Sequence, residues 1–474
     1  MSKTFPIPAE IRASLDHPVL DADGHLIEYA PVFDRYLKQA GLEGGFLEFG
    51  QTANFDGSRL WQNLSTEQRL EERAYRSPWW GFPNDAQDLA TATAPRLLYE
   101  RLDELGIDLS IVYPSVGLQL PAQRDERTRR LGCRAYNRYA SEQLQGLGDR
   151  LLPVAVIPTF TPEEALEELD YAVGELGMRA ALLAGFARRE FADDSQHAFW
   201  IDGLGLDSPY DYDPLWRRLI ELKIAPTFHS SSMGWSGRRS VSNFSFNHMG
   251  AFAGANDTTA KSLFFGGVFH RFPELRAGFL EGGVAWALQM YTGLVEHFEK
   301  RGPKGLVARD PRGLDGALYD RLLTEHQGAL EPLVDGWGAI FSQSSQTPEV
   351  VNDFAAAGIK HTEDIVQQMT TNCFFGCEAD DRLAGIAFDT HRLPGDKPMR
   401  PIFSSDIGHW DVAHMHEVLP EAHEHLEHGW MDRDQFRDFM CDNAIRMFCG
   451  ANPDFFEGTV LADYAPKVDL RPTS

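Results

Sequence analysis

Eight short apolar runs recur along this chain, and several are followed by a stretch of helical character: "PVLDADGH", "GIDLSIVYPS", "LLPVAVIPT", "MRAALLAG", "APTFHS", "LRAGFLEGG", "MTTNCFF" and "RPIFSSDIGH". "TPEEALEELDYAVGELG" opens with Thr, Pro and two Glu and closes on Gly, and "DPLWRRLIELK" opens with Asp-Pro, both start signals of helices. Strand then helix, eight times over, is the pattern of an α/β fold of one kind, the closed parallel (β/α)8 barrel of TIM type. A chain of 474 residues with 43% hydrophobic content has enough apolar material for such a core, and barrels with insertions commonly reach this length as one domain. We therefore expect a single barrel domain over residues 17–452, with a tail over 453–474 running along the surface. Two spacings exceed a simple connection, about 26–105 and 301–368. Both read as insertions that cover the barrel mouth or form a subunit contact.

Charge narrows the partners. With 70 acidic against 44 basic residues the net charge is −26, which repels phosphate backbones and anionic membranes, so neither nucleic acid nor membrane is an expected partner. No continuous apolar run reaches the roughly 18 residues of a membrane span, and the N-terminus lacks an apolar signal core, so the expected location is the cytoplasm. Five cysteines, including Cys373 and Cys377 in "CFFGC", form neither a disulfide framework nor the usual paired zinc spacing, and read as buried thiols. The histidines at 414, 416, 423, 425 and 428 keep company with Glu and Leu, as on a solvated helix. Trp61, Trp79, Trp80 and Phe82 in the first insertion are too many large apolar groups for a free loop, which points to the barrel mouth or to a second subunit, and we expect a homodimer.

In such barrels catalytic groups sit at the C-terminal strand ends. The first strand ends in Asp21, Asp23 and His25, alternate positions that can share one face; the fifth ends in His229, the sixth in Glu281 and the eighth in Asp406. Carboxylates and imidazoles converging from separate strands would be costly to bury unpaired, and a divalent cation coordinating them removes that cost. Each residue also has a plainer reading. "DADG" is good turn chemistry, His229 alone could be a hydrogen-bonded core histidine, Asp406 after two serines could cap a helix, and Glu281 could cap the helix beginning near Val284. His409 could lie behind the ligands or in a loop.

"DADGH", "PTFHS", "GGVFHRFPELRAGFLEGGVAW", "FSSDIGHWD" and "NAIRMFCG", in this order over residues 17–30 and about 103–452, resemble the amidohydrolase-related family. Within it the chain is most similar to the branch of aminocarboxymuconate-semialdehyde decarboxylase and gamma-resorcylate decarboxylase. The resemblance implies one divalent metal ion, zinc or manganese, held by Asp23, His25, His229 and Asp406, with Asp406 also accepting a proton from bound water. It implies a catalytic role at the sixth strand end, where many members carry a histidine in "HGG" and this chain has Glu281 in "EGG", with His409 a further candidate. Arg238, Arg239 and His248, in the long loop after His229, are candidates to meet a substrate anion. The expected function is a metal-dependent lyase that decarboxylates a small aromatic or unsaturated acid. The alternatives are a hydrolase cleaving a C–N or C–C bond with metal-activated water, which the change to Glu281 favours, and a non-catalytic metal-stabilised barrel.

Overall fold

A computed structural model describes residues 6–42, 61, 63–72, 74, 76, 83–191, 194–229, 240–326, 328, 336–409 and 411–471. Eight parallel strands follow one another around a sheet: β1 (Leu20–Leu26), β2 (Leu109–Pro114), β3 (Leu151–Ile157), β4 (Ala180–Leu183), β5 (Pro226–Phe228), β6 (Ala277–Phe279), β7 (Cys373–Glu378) and β8 (Pro401–Ser404). Each occupies one of the eight apolar runs. Closure comes from the segment just past β8, where the Asp406 N–H donates to the Asp23 carbonyl (3.1 Å) and the His25 N–H to the Ile407 carbonyl (2.9 Å). The strands read as continuous apolar runs because both of their faces are covered; β2, β4 and β8 are buried throughout. The outer layer starts where the sequence signals it. Thr161 accepts from the Glu164 N–H and caps the helix Pro162–Gly174.

The connections depart from the plain repeat. A two-stranded antiparallel hairpin, Ala187–Phe191 with Asp194–Asp202, is inserted after β4. In the first insertion, the Trp61 indole N–H donates to the Val241 carbonyl (2.6 Å), the Arg69 guanidinium lies 3.6 Å over its ring, and the Arg76 N–H donates to the Ser240 carbonyl. This stretch therefore lies against the loop that follows β5. Trp79, Trp80 and Phe82 fall outside the described residues. The second insertion includes helices Gly316–Glu325 and Trp337–Ser342, which expose Leu318, Leu322, Trp337, Ile340 and Phe341. The tail is pinned to the surface: Phe455 and Phe456 are buried, and Arg446 donates to the Asp469 carbonyl. All five cysteines are free and buried, and no described helix is long and apolar enough to cross a membrane.

Candidate metal centre

The strand carrying "DADGH" is not regular. Asp21 pairs with Ser110 and Gly24 with Val112, so β1 holds one residue more than β2 between these points, a β-bulge. The alternation expected to put Asp21, Asp23 and His25 on one face is broken there. Asp21 turns to the same side as Gly24, and its carboxylate accepts from Ser110 Oγ (2.6 Å), Ser405 Oγ (2.8 Å), the Ser405 N–H (2.9 Å) and the Asp23 N–H (3.2 Å). Asp21 thus ties β1 to β2 and to the segment after β8. Gly24 lacks a side chain because a Cβ would stand 2.3 Å from Asp21 Oδ2 and 2.5 Å from Ser110 Oγ.

Beyond the bulge, Asp23 and His25 face the mouth. His25 Nε2 is 3.5 Å from Asp23 Oδ1, 3.4 Å from Asp406 Oδ1 and 3.2 Å from His229 Nε2, and His229 Nε2 is 3.6 Å from Asp23 Oδ1. His25 Nδ1 is 2.8 Å from the Pro114 carbonyl; since a carbonyl only accepts, Nδ1 carries the proton and the Nε2 lone pair points into the cluster. Two further groups join. Glu281 Oε2 lies 3.5 Å from His229 Nε2, while His409 stacks on His25 at 3.7 Å between centroids with Nδ1 2.5 Å from Asp406 Oδ1.

Glu281 and Asp406 both have positive φ, 53° and 50°, an uncommon conformation for a residue with a Cβ. At Glu281 it turns the side chain toward the mouth. The residue caps no helix: Ala285–Arg301 has no side-chain cap, and the Val284 N–H meets Asp381 Oδ2 at 3.4 Å instead.

Burial governs the protonation of these groups. The Asp23 carboxyl is pushed well above its usual range by burial and then by the charges of Glu281, Asp21 and Glu378. Asp406 is raised by burial and then by Asp411, Glu281 and Glu378; Glu281 is raised by burial and then by Asp411. Burial lowers the imidazoles, His25 well below its ordinary value, His229 to about 3 and His409 to about 4. Asp23 Oδ1 and Glu281 Oε2 are buried without a hydrogen-bond partner. Imidazoles held neutral, that of His25 with its Nε2 lone pair turned into the cluster, beside orphaned carboxylate oxygens are a donor set that a divalent cation fits. Among the described residues, the side chains able to coordinate it form two overlapping groups, Asp23 with His25 and His229, and His25 with Asp406 and His409.

The remaining candidates lie apart or outside view. His248 is partly buried and stacks on Phe244 at 5.1 Å. Arg238 and Arg239 fall outside the described residues. Of the later histidines, His425 is buried with Nε2 3.2 Å from the Ala379 carbonyl, His423 pairs with Glu427, and His428 stacks on Trp430. Sequence reasoning missed Glu378, the last residue of β7. The available signal was an acidic residue three positions after the apolar "CFF", at a strand end like the others.

Residues 107–302 match the family model described as Amidohydrolase. The matched segment spans β2 to β6 and includes His229 and Glu281. A curated relative, the decarboxylase orsB of Emericella nidulans, is 30% identical over 157 residues, which cover 30% of this chain and 42% of that protein. The match therefore spans less than half the relative's length. Among solved structures, an amidohydrolase from Mycobacterium avium subsp. paratuberculosis superposes with a TM-score of 0.53 at 18% identity, covering 92% of this chain and 100% of the other. A dihydroxybenzoic acid decarboxylase from a Polaromonas species, with bound manganese and 2-nitroresorcinol, superposes with a TM-score of 0.50 at 17% identity over 91% of this chain and 97% of that one. A 5-carboxyvanillate decarboxylase from Novosphingobium aromaticivorans, complexed with manganese, gives 0.50 at 15% identity over 91% and 96%. These likenesses carry the barrel fold.

Proposed function

We propose that the chain is a metal-dependent decarboxylase acting on a small aromatic or unsaturated carboxylic acid. The observation that carries this reading is the cluster itself: two imidazole Nε2 atoms 3.2 Å apart, with carboxylate oxygens of Asp23 and Asp406 3.4–3.6 Å from them, buried at the C-terminal end of the barrel. Asp23, His25, His229 and Asp406 would hold one divalent cation. Two carboxylates make a harder site than imidazoles alone, so manganese suits it as well as zinc. Such an ion would act as a Lewis acid toward a substrate oxygen and lower the pKa of bound water.

The chain's own residues supply the rest. The hydrogen bond to the Pro114 carbonyl fixes the orientation and tautomer of His25. Glu281, its carboxyl raised by burial, keeps a proton toward neutral pH beside the cluster and is placed to deliver it. In decarboxylation the C–C bond to the carboxylate breaks, carbon dioxide leaves, the electron pair stays on the substrate carbon, and a proton from Glu281 replaces the lost group. Asp406, held against His409, would accept a proton from water at the site. His248, Arg238 and Arg239 would meet the substrate anion. The decarboxylase names of the curated relative and of two structural neighbours support this reading.

A hydrolase is the second reading, favoured by Glu281, a carboxylate that can serve water activation as well as proton delivery. Incubating metal-loaded protein with a panel of hydroxylated benzoic acids and their amides in ¹⁸O-water separates the two. Carbon dioxide release with no label in the organic product supports decarboxylation, and label in the product supports hydrolysis. We further propose a homodimer through the exposed apolar face of Leu318, Leu322, Trp337, Ile340 and Phe341, and a cytoplasmic setting in keeping with five free thiols.

A further inference from the structure

Glu281 reaches the candidate metal centre from a turn that its own residue type disfavours. With φ at 53° it sits in the left-handed region, which a residue with a Cβ keeps only where its surroundings over-determine it. Rotation about this angle turns the peptide that joins Leu280 to Glu281. The chain on either side of that peptide is held. The Leu280 N–H donates to the Phe228 carbonyl of β5 (3.0 Å), and the Leu280 carbonyl, which belongs to the peptide in question, accepts from Asn256 Nδ2 (2.8 Å).

Asn256 lies inside the helix Ala251–Phe265 and is 1% exposed. Asparagine serves a helix interior poorly, because its amide competes for nearby backbone groups. Here the amide leaves its own helix and crosses to the end of β6. The support it reaches from is fixed one turn further on, where Thr259 Oγ1 lies 2.5 Å from the Gly185 carbonyl beyond β4. The turn is wrapped closely around this amide: a Cβ on Gly282 would stand 2.6 Å from Asn256 Nδ2 and 3.4 Å from the Ala253 Cα. Asp381 closes the far side, its Oδ2 3.4 Å from the Val284 nitrogen and 2.7 Å from where a Cβ on Gly283 would lie.

We propose that Asn256 is a positioning residue for Glu281. Its amide locks the Leu280–Glu281 peptide, so that the Glu281 carboxyl stays at the cluster with Oε2 3.5 Å from His229 Nε2 and Oε1 3.7 Å from His409 Nδ1. The importance of the lock to turnover rests on the proton-delivery role proposed above for Glu281; the lock itself does not. Without the amide the turn can relax toward a right-handed φ, and Glu281 then faces the cluster for only part of the time. Loss of one buried hydrogen bond against relief of backbone strain shifts such a balance by about 10-fold, and kcat falls with the population while substrate binding is kept.

The test uses metal-loaded wild type, Asn256→Ala and Asn256→Asp, the last equal in shape but without a donor when ionised. Whichever variant melts as a folded protein is carried forward. In the first arm, kcat and KM for a hydroxybenzoic acid are measured for the Asn256 variant in the wild-type and Glu281→Gln backgrounds. The expected result is a fall of about 10-fold in kcat with little change in KM in the first background, and less than about 2-fold in the second, because the replacement acts through Glu281. A merely structural amide would lower kcat by the same factor in both, which would overturn the proposal. In the second arm, crystal structures of wild type and variant are compared, which requires no turnover. A Glu281 carboxyl displaced from His229, with φ out of the left-handed region, supports the lock; an unmoved turn overturns it. Failure of every acid to react would sink the decarboxylase reading while the crystallographic arm still decides the lock.

Discussion

Replacing Gly24 by alanine tests whether the Asp21 clamp sets the geometry of the candidate metal centre. The new Cβ would stand 2.3 Å from Asp21 Oδ2 and 2.5 Å from Ser110 Oγ, inside contact distance of two groups that are themselves held in place. Asp21 cannot retreat, because Ser110 and Ser405 grip its carboxylate from the strands on either side. Relief requires breaking at least the Ser110 bond and one of the Ser405 bonds. Two hydrogen bonds to a charged acceptor, at about 1.5–3 kcal/mol each, give a loss of roughly 3–6 kcal/mol. Unfolding entropy grows with chain length, so in a chain this long each kcal/mol moves Tm by only about 1–2 °C, and the expected fall is about 3–12 °C. Because Asp23 and His25 follow directly on the bulge, metal occupancy should fall with it. Calorimetric melting and elemental analysis of the same preparations provide the assay. A variant that melts within about 1 °C of wild type and keeps its metal would refute the clamp. Asp21→Asn is the control, expected to lose about 1–3 kcal/mol while leaving the steric space as it is.

Glu281→Gln should lower turnover by about 10²-fold or more while metal content holds, measured by steady-state kinetics; near-normal turnover in a metal-loaded variant would remove its proton-transfer role. Asp406→Asn keeps a coordinating oxygen but loses charge and most basicity, so metal is expected to remain while kcat collapses. Glu28 is 3% exposed, accepts the Val116 and Gly117 N–H groups, and is pushed up to about 7 by burial. Its folded value lies above its unfolded one, so its contribution is fully present below about pH 4.5 and is lost as pH rises through 7. The difference in unfolding free energy between wild type and Glu28→Gln should therefore shift by about 3 kcal/mol between pH 4.5 and 8; a flat difference would show an unperturbed group.

The strands were legible because a parallel barrel buries both faces of each strand and leaves an uninterrupted apolar run. Their polar ends stood out against those runs, which is how Asp23, His25, His229, Glu281 and Asp406 could be named before their distances were known. Backbone irregularity was not legible. The bulge that turns Asp21 away from Asp23 leaves no mark in an alternating pattern, and the positive φ of Glu281 and Asp406 sits on residues with no special tolerance for it. The choice between a capping and a mouth-facing Glu281 was decided by Asp381, distant in sequence, standing at that helix start. Glu378 escaped notice because the apolar run of β7 looked complete at Phe375, three residues before the strand ends.

The central claim is that Asp23, His25, His229 and Asp406 bind one divalent cation on which activity depends. An anomalous difference map, collected at the absorption edges of manganese and zinc from crystals of active protein, tests it most directly. The account predicts a single strong peak at about 2.0–2.2 Å from both imidazole Nε2 atoms and an oxygen of each carboxylate, slightly farther for manganese. Active protein with no peak among these four side chains, or with its metal bound elsewhere, would contradict it.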